Sequence, residues 1–380
     1  MAGSSLDGVD LARCRYELGN DGAWRFELLQ AETVGFPPVW SRRLRSLAQA
    51  PGLDLIKAHA EFGHWLGRLV KRFVGDSDDR VDCYAVHGPT IFHQPDVGVT
   101  FQLGDPEVVV SYCSGPVISA LRNRDVALGG QGAPLVPVGE KALFPDFDFF
   151  LNLGGIVNLT AHDVAFDICI GNQALDELAG RIDPNLTFDP EGQWAARGRI
   201  DAGLLQRIEA LAWWQRPPPK SLGREWYEGQ IRPLIATDEI AVQDVLATMV
   251  EHIALRVRDA LSPYQYDEVR LLVSGGGCRN VFLLRRIRDR AAEIGVTIVE
   301  PSDAALTLFK EAVIFGFLGL QTLRGEINVD GRLTGARHST SSGSIHLGLS
   351  GGRKTPGIDA VLRDYESNGK EYIEPTRAND

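Results

Sequence analysis

Apolar positions along the chain recur with two periods, and the change from one to the other marks the elements. Residues 9–18 and 24–34 alternate as strands do, and Gly19-Asn20-Asp21-Gly22 between them has the composition of a hairpin turn. Leu55, Phe62, Leu66, Leu69 and Phe73 then fall at roughly helical spacing and predict a helix over 53–74. Residues 82–103 read as short strands around turns at Gly88-Pro89 and Pro95-Asp96. The stretch 127–137 is rich in glycine and proline and has little periodicity, and a second strand-rich region, 147–167, follows it. A domain boundary is therefore expected near residue 143.

Helical patterns are expected at about 172–181 and 243–261, the latter with Val245, Met249, Ile253 and Val257 on one face. Residues 269–274 form an apolar strand, and 281–293 and 309–324 read as helices. The chain turns polar after about residue 350, so 351–380 is expected to be a mobile polar tail. No short tandem repeat is visible. Strands, glycine turns and amphipathic helices in alternation predict an α/β fold.

Composition narrows the class. A chain of 380 residues has room for two domains, each with its own core. Hydrophobic and charged contents of 44% and 23% are those of a globular protein. A net charge of −11 argues against nucleic acid or an anionic membrane as the main partner, since both are polyanions. Arg42, Arg43 and Arg45 read as a solvated helix face. The N-terminus has no secretory pattern, and no run of about 18 apolar residues suggests a membrane helix. Cys14, Cys83, Cys113, Cys169 and Cys278 are scattered and form no C-x-x-C pair, which is cytoplasmic usage.

Three motifs carry candidate chemistry. Gly3-Ser4-Ser5-Leu6-Asp7-Gly8-Val9-Asp10 leads straight into a strand. Its glycines let the backbone aim N–H groups at an anion, its hydroxyls can donate to phosphate oxygens, and Asp7 can hold Mg²⁺ through water. By itself the motif also fits an ordinary turn. Asp167 ends the apolar run Val164-Ala165-Phe166, and Gly171-Asn172 then open a helix. A strand-end carboxylate can serve as a general base, and Asn172 can cap a helix whose N-terminus faces phosphate. A plain helix-start aspartate fits equally well. Leu271-Leu272-Val273-Ser274-Gly275-Gly276-Gly277-Cys278-Arg279-Asn280 has the form of a nucleotide-binding strand–turn–helix, whose glycines allow a flat ligand close to the backbone.

Other motifs fail. G-x-x-x-x-G-K-[ST] is absent, Gly130-Gln131-Gly132 lacks the third glycine of a dinucleotide fingerprint, and the protein-kinase set is missing. A serine-hydrolase elbow fails because the glycine after Ser5 comes one residue late. His87 and His93 have no third group at metal-ligand spacing.

The motifs taken together resemble the anhydro-N-acetylmuramic acid kinase family, within the actin/hexokinase-like ATPase superfamily. The matching stretches are Gly3–Asp10, His87–Pro95, Asp125–Pro137, Asn152–Thr160, Ala165–Asn172, Pro218–Glu225, Ser274–Asn280 and Phe309-Lys310-Glu311-Ala312, in the family's order up to about residue 337. The resemblance implies a two-domain α/β fold of the ribonuclease H-like kind, with mixed sheets flanked by helices and an interdomain active-site cleft. Domain I would be 1–143, rejoined by about 325–350, and domain II would be 144–324.

The implied reaction uses ATP and Mg²⁺ to phosphorylate O6 of 1,6-anhydro-N-acetylmuramic acid while water opens the anhydro ring. Asp167 is then the catalytic base. Gly3, Ser4, Ser5, Leu6, Asp7, Gly8, Val9 and Asp10 cradle the ATP phosphates, with Asp7 on the metal through water. Gly275, Gly276, Gly277 and Asn280 face the adenosine end, and Arg122, Gly129 and Gln131 shape the sugar side. A cytoplasmic homodimer is implied.

Three departures from the family pattern stand out. The family has a strand before the phosphate loop, whereas this sequence reaches Gly3 almost at once, so the first sheet lacks a strand or the start lies upstream. The common T-G-P-G-N after the aspartate is Ile168-Cys169-Ile170-Gly171-Asn172 here, and an aspartate two residues before Arg122 is replaced by Ala120. These departures keep two alternatives open: a catalytically weak relative that binds sugar or nucleotide in a sensing or assembly role, and a kinase for a different amino sugar.

Overall fold

In the computed structural model the described residues are 1–2, 8–75, 81–161, 164–218, 220–264, 270–299 and 304–348, apart from the side chains of Arg224 and Ala304. Gly3–Asp7 of the expected phosphate loop and the tail from 351 lie outside them.

The chain opens on the antiparallel hairpin β1 (Gly8–Leu18) and β2 (Trp24–Gly35). Its turn closes as the glycine pattern requires, with Gly22 at φ +76° and its N–H on the Gly19 carbonyl. The helix Gly52–Val74 follows and buries Phe62, Leu66, Leu69 and Phe73. Next come β3 (Tyr84–Ala85), β4 (Thr90–Gln94), β5 (Val99–Gln102) and β6 (Val117–Ser119). β4 and β5 form a separate hairpin, while β3 and β6 join a three-stranded sheet completed by β12 (Ser344–His346).

The first half is thus assembled from short pieces. Among the described residues, Met1 and Ala2 run between β1 and the chain just after β3: Asp10 N–H donates to the Met1 carbonyl at 2.8 Å, and Ala2 N–H donates to His87 O at 2.8 Å. A small apolar cavity beside them is lined by Val9, Leu11, Phe62, Leu66 and Val70.

The second half holds one continuous sheet in the order β11-β10-β7-β8-β9, made of β7 (Phe149–Leu153), β8 (Ile156–Ala161), β9 (Val164–Ile170), β10 (Arg270–Ser274) and β11 (Thr297–Val299). β8 is antiparallel to both neighbours, and β10 runs parallel to β7 and β11. The period of two sorts the side chains. Phe149, Leu151 and Leu153 enter a core shared with the helices Asn172–Ile182, Val242–Leu261 and Val281–Ala292. Phe150 and Leu272 point to the other face, against the helix Ala304–Arg324. Ile168, Cys169 and Ile170, the departure from the family pattern, are all core.

The helix expected at 309–324 begins earlier, at Ala304, and packs against the first half, on β1 and the helix Val136–Leu143. Two glycines allow the approach: a Cβ at Gly316 would sit 2.6 Å from Tyr16 Oη, and one at Gly319 would sit 2.6 Å from the Ala85 Cβ. Tyr16 Oη donates to the Val313 carbonyl at 2.6 Å, and Lys310 Nζ pairs with Glu140 Oε1 at 2.5 Å in a buried position. Periodicity marked the C-terminal end of this helix but not its start, and the sheet it covers depends on these contacts. Residues Ala305–Arg324 are long and apolar enough to cross a membrane by length and composition, and half of that stretch is buried inside the fold.

The chain after this helix stays with the first half. The buried Asn328 Nδ2 donates to the carbonyls of Leu318 and Ser342, and β12 pairs with β6.

Candidate active site

The glycine turns gather at one end of the five-stranded sheet, where β7, β9 and β10 all reach their C-terminal ends. Ligands of open α/β sheets bind at such an edge. Gly275 follows β10 at φ +91°, a conformation that favours glycine. A Cβ there would run into Asn152 Oδ1, and one on Gly277 would lie 2.7 Å from the Leu153 Cβ. The turn is therefore seated on the tip of the β7–β8 hairpin, Gly154-Gly155. Among the described residues, an added Cβ at Gly276 would meet only Asn172 Nδ2, at 3.8 Å, and one at Gly155 only the Gln173 Cβ, at 3.8 Å. Both glycines thus expose backbone to which a ribose or phosphate has close access, which fits a nucleotide. Gly154 and Gly155 carry no role in the sequence reading beyond lying within a matching stretch; an x-G-G-x between two strands is the signal for them.

Asn172 does not cap the helix it opens. Gly171 occupies the cap position, Asn172 Nδ2 donates to Leu153 O at 3.0 Å, and the carbonyls of Gly154 and Gly155 take the N–H groups of Asn172 and Gln173. The hairpin tip itself closes the helix N-terminus, so those donors are not available to phosphate. Asn280 is the N-cap of Val281–Ala292, with Oδ1 accepting from Leu283 N at 2.9 Å. Its Oδ1 is therefore committed to the helix.

Asp167 lies on β9 opposite Asn158 of β8. Its Oδ2 accepts two hydrogen bonds, from Ser221 Oγ at 3.0 Å and from Leu222 N at 2.7 Å. Oδ1 has no partner among the described residues. The Asp167 N–H donates to Lys220 O at 2.9 Å, so residues 220–222 run along the edge of β9. Burial pushes the carboxyl up from its ordinary range, and the bonds from Leu222 and Ser221 pull it down.

Aromatic packing fixes the 220–222 segment. Lys220 Nζ lies 4.3 Å from the Trp213 ring centroid and donates to Trp214 O at 3.3 Å, while Trp214 and Trp226 pack edge-on at 5.3 Å. Desolvation, then Arg256, lowers the Lys220 pKa. Ser221 is a site residue that the sequence reading placed only within a matching stretch; a serine 54 positions away has no local signal pointing to Asp167.

Arg122, Gly129 and Gln131, the residues expected on the sugar side, lie together in the first half. Arg122 Nη1 donates to Gly132 O at 2.7 Å and Nε to His87 Nε2 at 3.3 Å, and no carboxylate forms an ion pair with this guanidinium among the described residues. Desolvation lowers Arg122 to about 10, against the opposing effect of Glu311. His87 is held well below its usual value by burial and by Arg122, and so is neutral. Asp125, fully buried, organises the loop: Oδ2 accepts from Gly132 N at 2.7 Å and Oδ1 from Thr334 Oγ1 at 2.6 Å.

Gln131 N–H donates to Thr334 O at 2.8 Å, and Gly129 is exposed at φ +87° with open space around it. Ala120, where the family has an aspartate, sits at φ +54°, in the left-handed region that a non-glycine residue enters at a cost.

Of the expected phosphate loop, only Gly8, Val9 and Asp10 are described, and all three belong to β1. Gly8 packs so closely on β2 that a Cβ would lie 2.5 Å from Val34 O, and Val9 points into the core. These three residues serve the strand: they pair with Gly35, Val34 and Thr33 of β2, and both backbone groups of Asp10 are bonded to Met1. Thr33 Oγ1 donates to Asp10 Oδ1 at 2.6 Å. Asp7, the expected magnesium contact, lies outside the described residues, which hold no group of three His, Cys, Asp or Glu side chains placed for a metal.

The helix Ala304–Arg324 connects these parts. Thr307 O accepts from Gly275 N at 3.0 Å, and one turn later Glu311 sits within electrostatic reach of Arg122 and Asp10. Burial raises Glu311, and Lys310 and Arg122 oppose the rise. Thr307 and Glu311 are further residues that the sequence reading left without a role.

The glycine turns lie at the ends of parallel strands of a mixed α/β sheet, and Asp167 lies within β9, three residues short of its end and not at it as expected. The relatives make the chain a kinase. More narrowly, the chain belongs to the anhydro-N-acetylmuramic acid kinase family, whose model, described as "Anhydro-N-acetylmuramic acid kinase", matches residues 1–348. It is similar to the anhydro-N-acetylmuramic acid kinase of Xanthomonas oryzae pv. oryzae, 35% identical over 367 residues that cover 91% of this chain and 96% of the relative. The kinase of Coxiella burnetii is 31% identical over 369 residues, covering 92% and 96%. Among solved structures, the activator of the 2-hydroxyisocaproyl-CoA dehydratase from Clostridium difficile with bound ADPNP aligns over 50% of this chain and 63% of its own, at 15% identity and a TM-score of 0.30.

Proposed function

We propose that this chain binds ATP and 1,6-anhydro-N-acetylmuramic acid and converts them, with one water molecule, to N-acetylmuramic acid 6-phosphate and ADP. Family membership over residues 1–348 supports the substrate. The observation that carries the chemistry is Asp167, half-buried, with one carboxylate oxygen engaged and the other without a partner.

In this reading Asp167 takes a proton from water as the water oxygen bonds to C1 of the sugar. The C1–O6 bond breaks, and its electron pair stays on O6. O6 then bonds to the γ-phosphorus, whose bond to the bridging oxygen breaks and releases ADP. ATP held with Mg²⁺ supplies the phosphoryl group and the counter-charge for the developing O6 anion. Gly275, Gly276 and Gly277 take the adenosine end, while the loop from Gly3 to Asp10 and the hairpin tip at Gly154-Gly155 take the phosphates. Arg122, Gly129 and Gln131 hold the sugar. Asp7 would hold Mg²⁺ through water, and the metal would supply counter-charge to the phosphates.

Residues 1–143 with the return at about 325–350 form one side of the cleft and 144–324 the other, with Ala304–Arg324 packed between. The five cysteines form no disulfide among the described residues, and their scattered usage is read as that of a cytoplasmic protein. The assembly is read as a homodimer on family grounds, to be checked by light scattering.

The test is coupled ADP release from the purified chain with the anhydro sugar, ATP and Mg²⁺. Asp167→Asn is expected to lower kcat by about 10²- to 10⁴-fold with folding unchanged by circular dichroism. Turnover with other amino sugars but none with the anhydro sugar overturns the substrate, and nucleotide binding without turnover on any sugar overturns the activity.

A further inference from the structure

We propose that Ser221 is a positioning residue for Asp167: its hydroxyl and the Leu222 N–H together hold Oδ2, so that Oδ1 alone is presented as the proton acceptor. The inference rests on the proposed reaction and deepens it. A carboxylate rotates about its last torsion, and its two oxygens are equivalent until something distinguishes them. Here two donors converge on one oxygen, at 3.0 and 2.7 Å, and the other oxygen receives none from the described residues. A general base that must meet a water at one fixed place gains from such a lock, because misplacement by about 1 Å costs on the order of 10²-fold in rate.

Ser221 is suited to this role and dispensable to the fold. The segment that carries it is tied to β9 without it, through the Asp167 N–H on Lys220 O at 2.9 Å and through Lys220 on the Trp213–Trp214 pair. Ser221 is itself exposed and packs no core. Removing its hydroxyl therefore leaves the backbone donor Leu222 N in place and frees the carboxylate to turn.

The charged neighbours are few. Lys220 turns its ammonium away, to Trp214 O. Arg256 and Glu209 bear on Cys169, two residues along β9, and not on Asp167 directly. Across the sheet the β8 partner Asn158 is neutral. Ser221 and Leu222 are thus the groups that favour the ionised carboxylate against burial.

The experiment compares wild type, Ser221→Ala and Ser221→Thr by the pH dependence of kcat/KM and by ¹³C NMR titration of the Asp167 carboxyl, assigned with Asp167→Asn. In Ser221→Ala the acidic limb and the NMR midpoint are both expected to move up by about one pH unit, as a lost charge-assisted hydrogen bond requires. Ser221→Thr, which keeps the hydroxyl, is expected to restore both. Coincidence of the Ser221→Ala curves with wild type overturns the proposal, and so does failure of the threonine to restore them. If wild type shows no turnover while the NMR midpoint still moves, the reaction is wrong and the Ser221 lock stands.

Discussion

The five-stranded sheet and the first half of the chain each hold part of the proposed site, but by different means. In the sheet, the glycine turn after β10 is placed by backbone fit: Gly275 and Gly277 sit where any Cβ would collide with Asn152 or Leu153. In the first half, short strands leave the sugar-side loop to be held by buried side chains. Asp125 ties Gly132 to Thr334, Arg122 ties Gly132 to His87, and Lys310 pairs with Glu140. A continuous sheet with apolar faces positions its strand ends with few polar bonds. Two- and three-stranded pieces cannot do so, and each polar substitute is costly to break once it is buried.

Substitutions that remove one partner test this contrast most severely. Lys310→Met leaves Glu140 buried and unpaired and is expected to cost about 3–5 kcal/mol in denaturant unfolding, while adding Glu140→Leu recovers most of the loss. If the single and double variants are equally unstable, the ion pair is not what holds Ala304–Arg324 to the first half. Asp125→Ala strands Gly132 N and Thr334 Oγ1 and is expected to cost about 2–4 kcal/mol, with KM for the sugar rising more than kcat falls. A change in nucleotide KM instead would erase the division between the two regions.

In the sheet, Gly275→Ala must strain the turn at φ +91°, at a cost of about 1–3 kcal/mol, and is expected to weaken nucleotide binding measured by calorimetry. The smallest effect runs the other way. Ala120→Gly relieves a left-handed alanine at φ +54°, worth about 1–2 kcal/mol, against about 0.5–1 kcal/mol of added chain entropy. Stability is therefore expected to rise by about 0.5 kcal/mol, read as a small increase in Tm.

The pH profile adds a sign. Because burial raises the folded pKa of Asp167, the ionised base is present above that raised value and is lost as the pH falls through it. The acidic limb of kcat/KM is thus expected above the ordinary aspartate range, and a limb at or below it would place another group in the role.

Much of the frame was legible along the chain. The β1–β2 hairpin, the helix Gly52–Val74 and the glycine turn after β10 follow local periodicity and turn chemistry, and the structure has them within a residue or two, while the strand region expected at 147–167 starts at Phe149 and runs on to Ile170. Asn172 misled because a helix-opening asparagine looks like a cap, whereas the hairpin tip had already supplied the acceptors. The contacts of Ser221 with Asp167, of Thr307 with Gly275 and of Glu311 with Arg122 were invisible because the partners lie far away in sequence. The side of the fold taken by Ala304–Arg324 was equally hidden, since an apolar face at helical spacing does not say which sheet it will cover.

The sequence alone determined the α/β alternation, the glycines that demand special backbone, the family, and Asp167 as the candidate base. These rest on short-range patterns or on ordered motifs. Tertiary structure alone decided which oxygen of Asp167 is bound, which helix bridges the halves, and which buried charges find partners. Each of those depends on groups brought together from distant positions, and their energies are set by burial and geometry that appear only when the chain is folded.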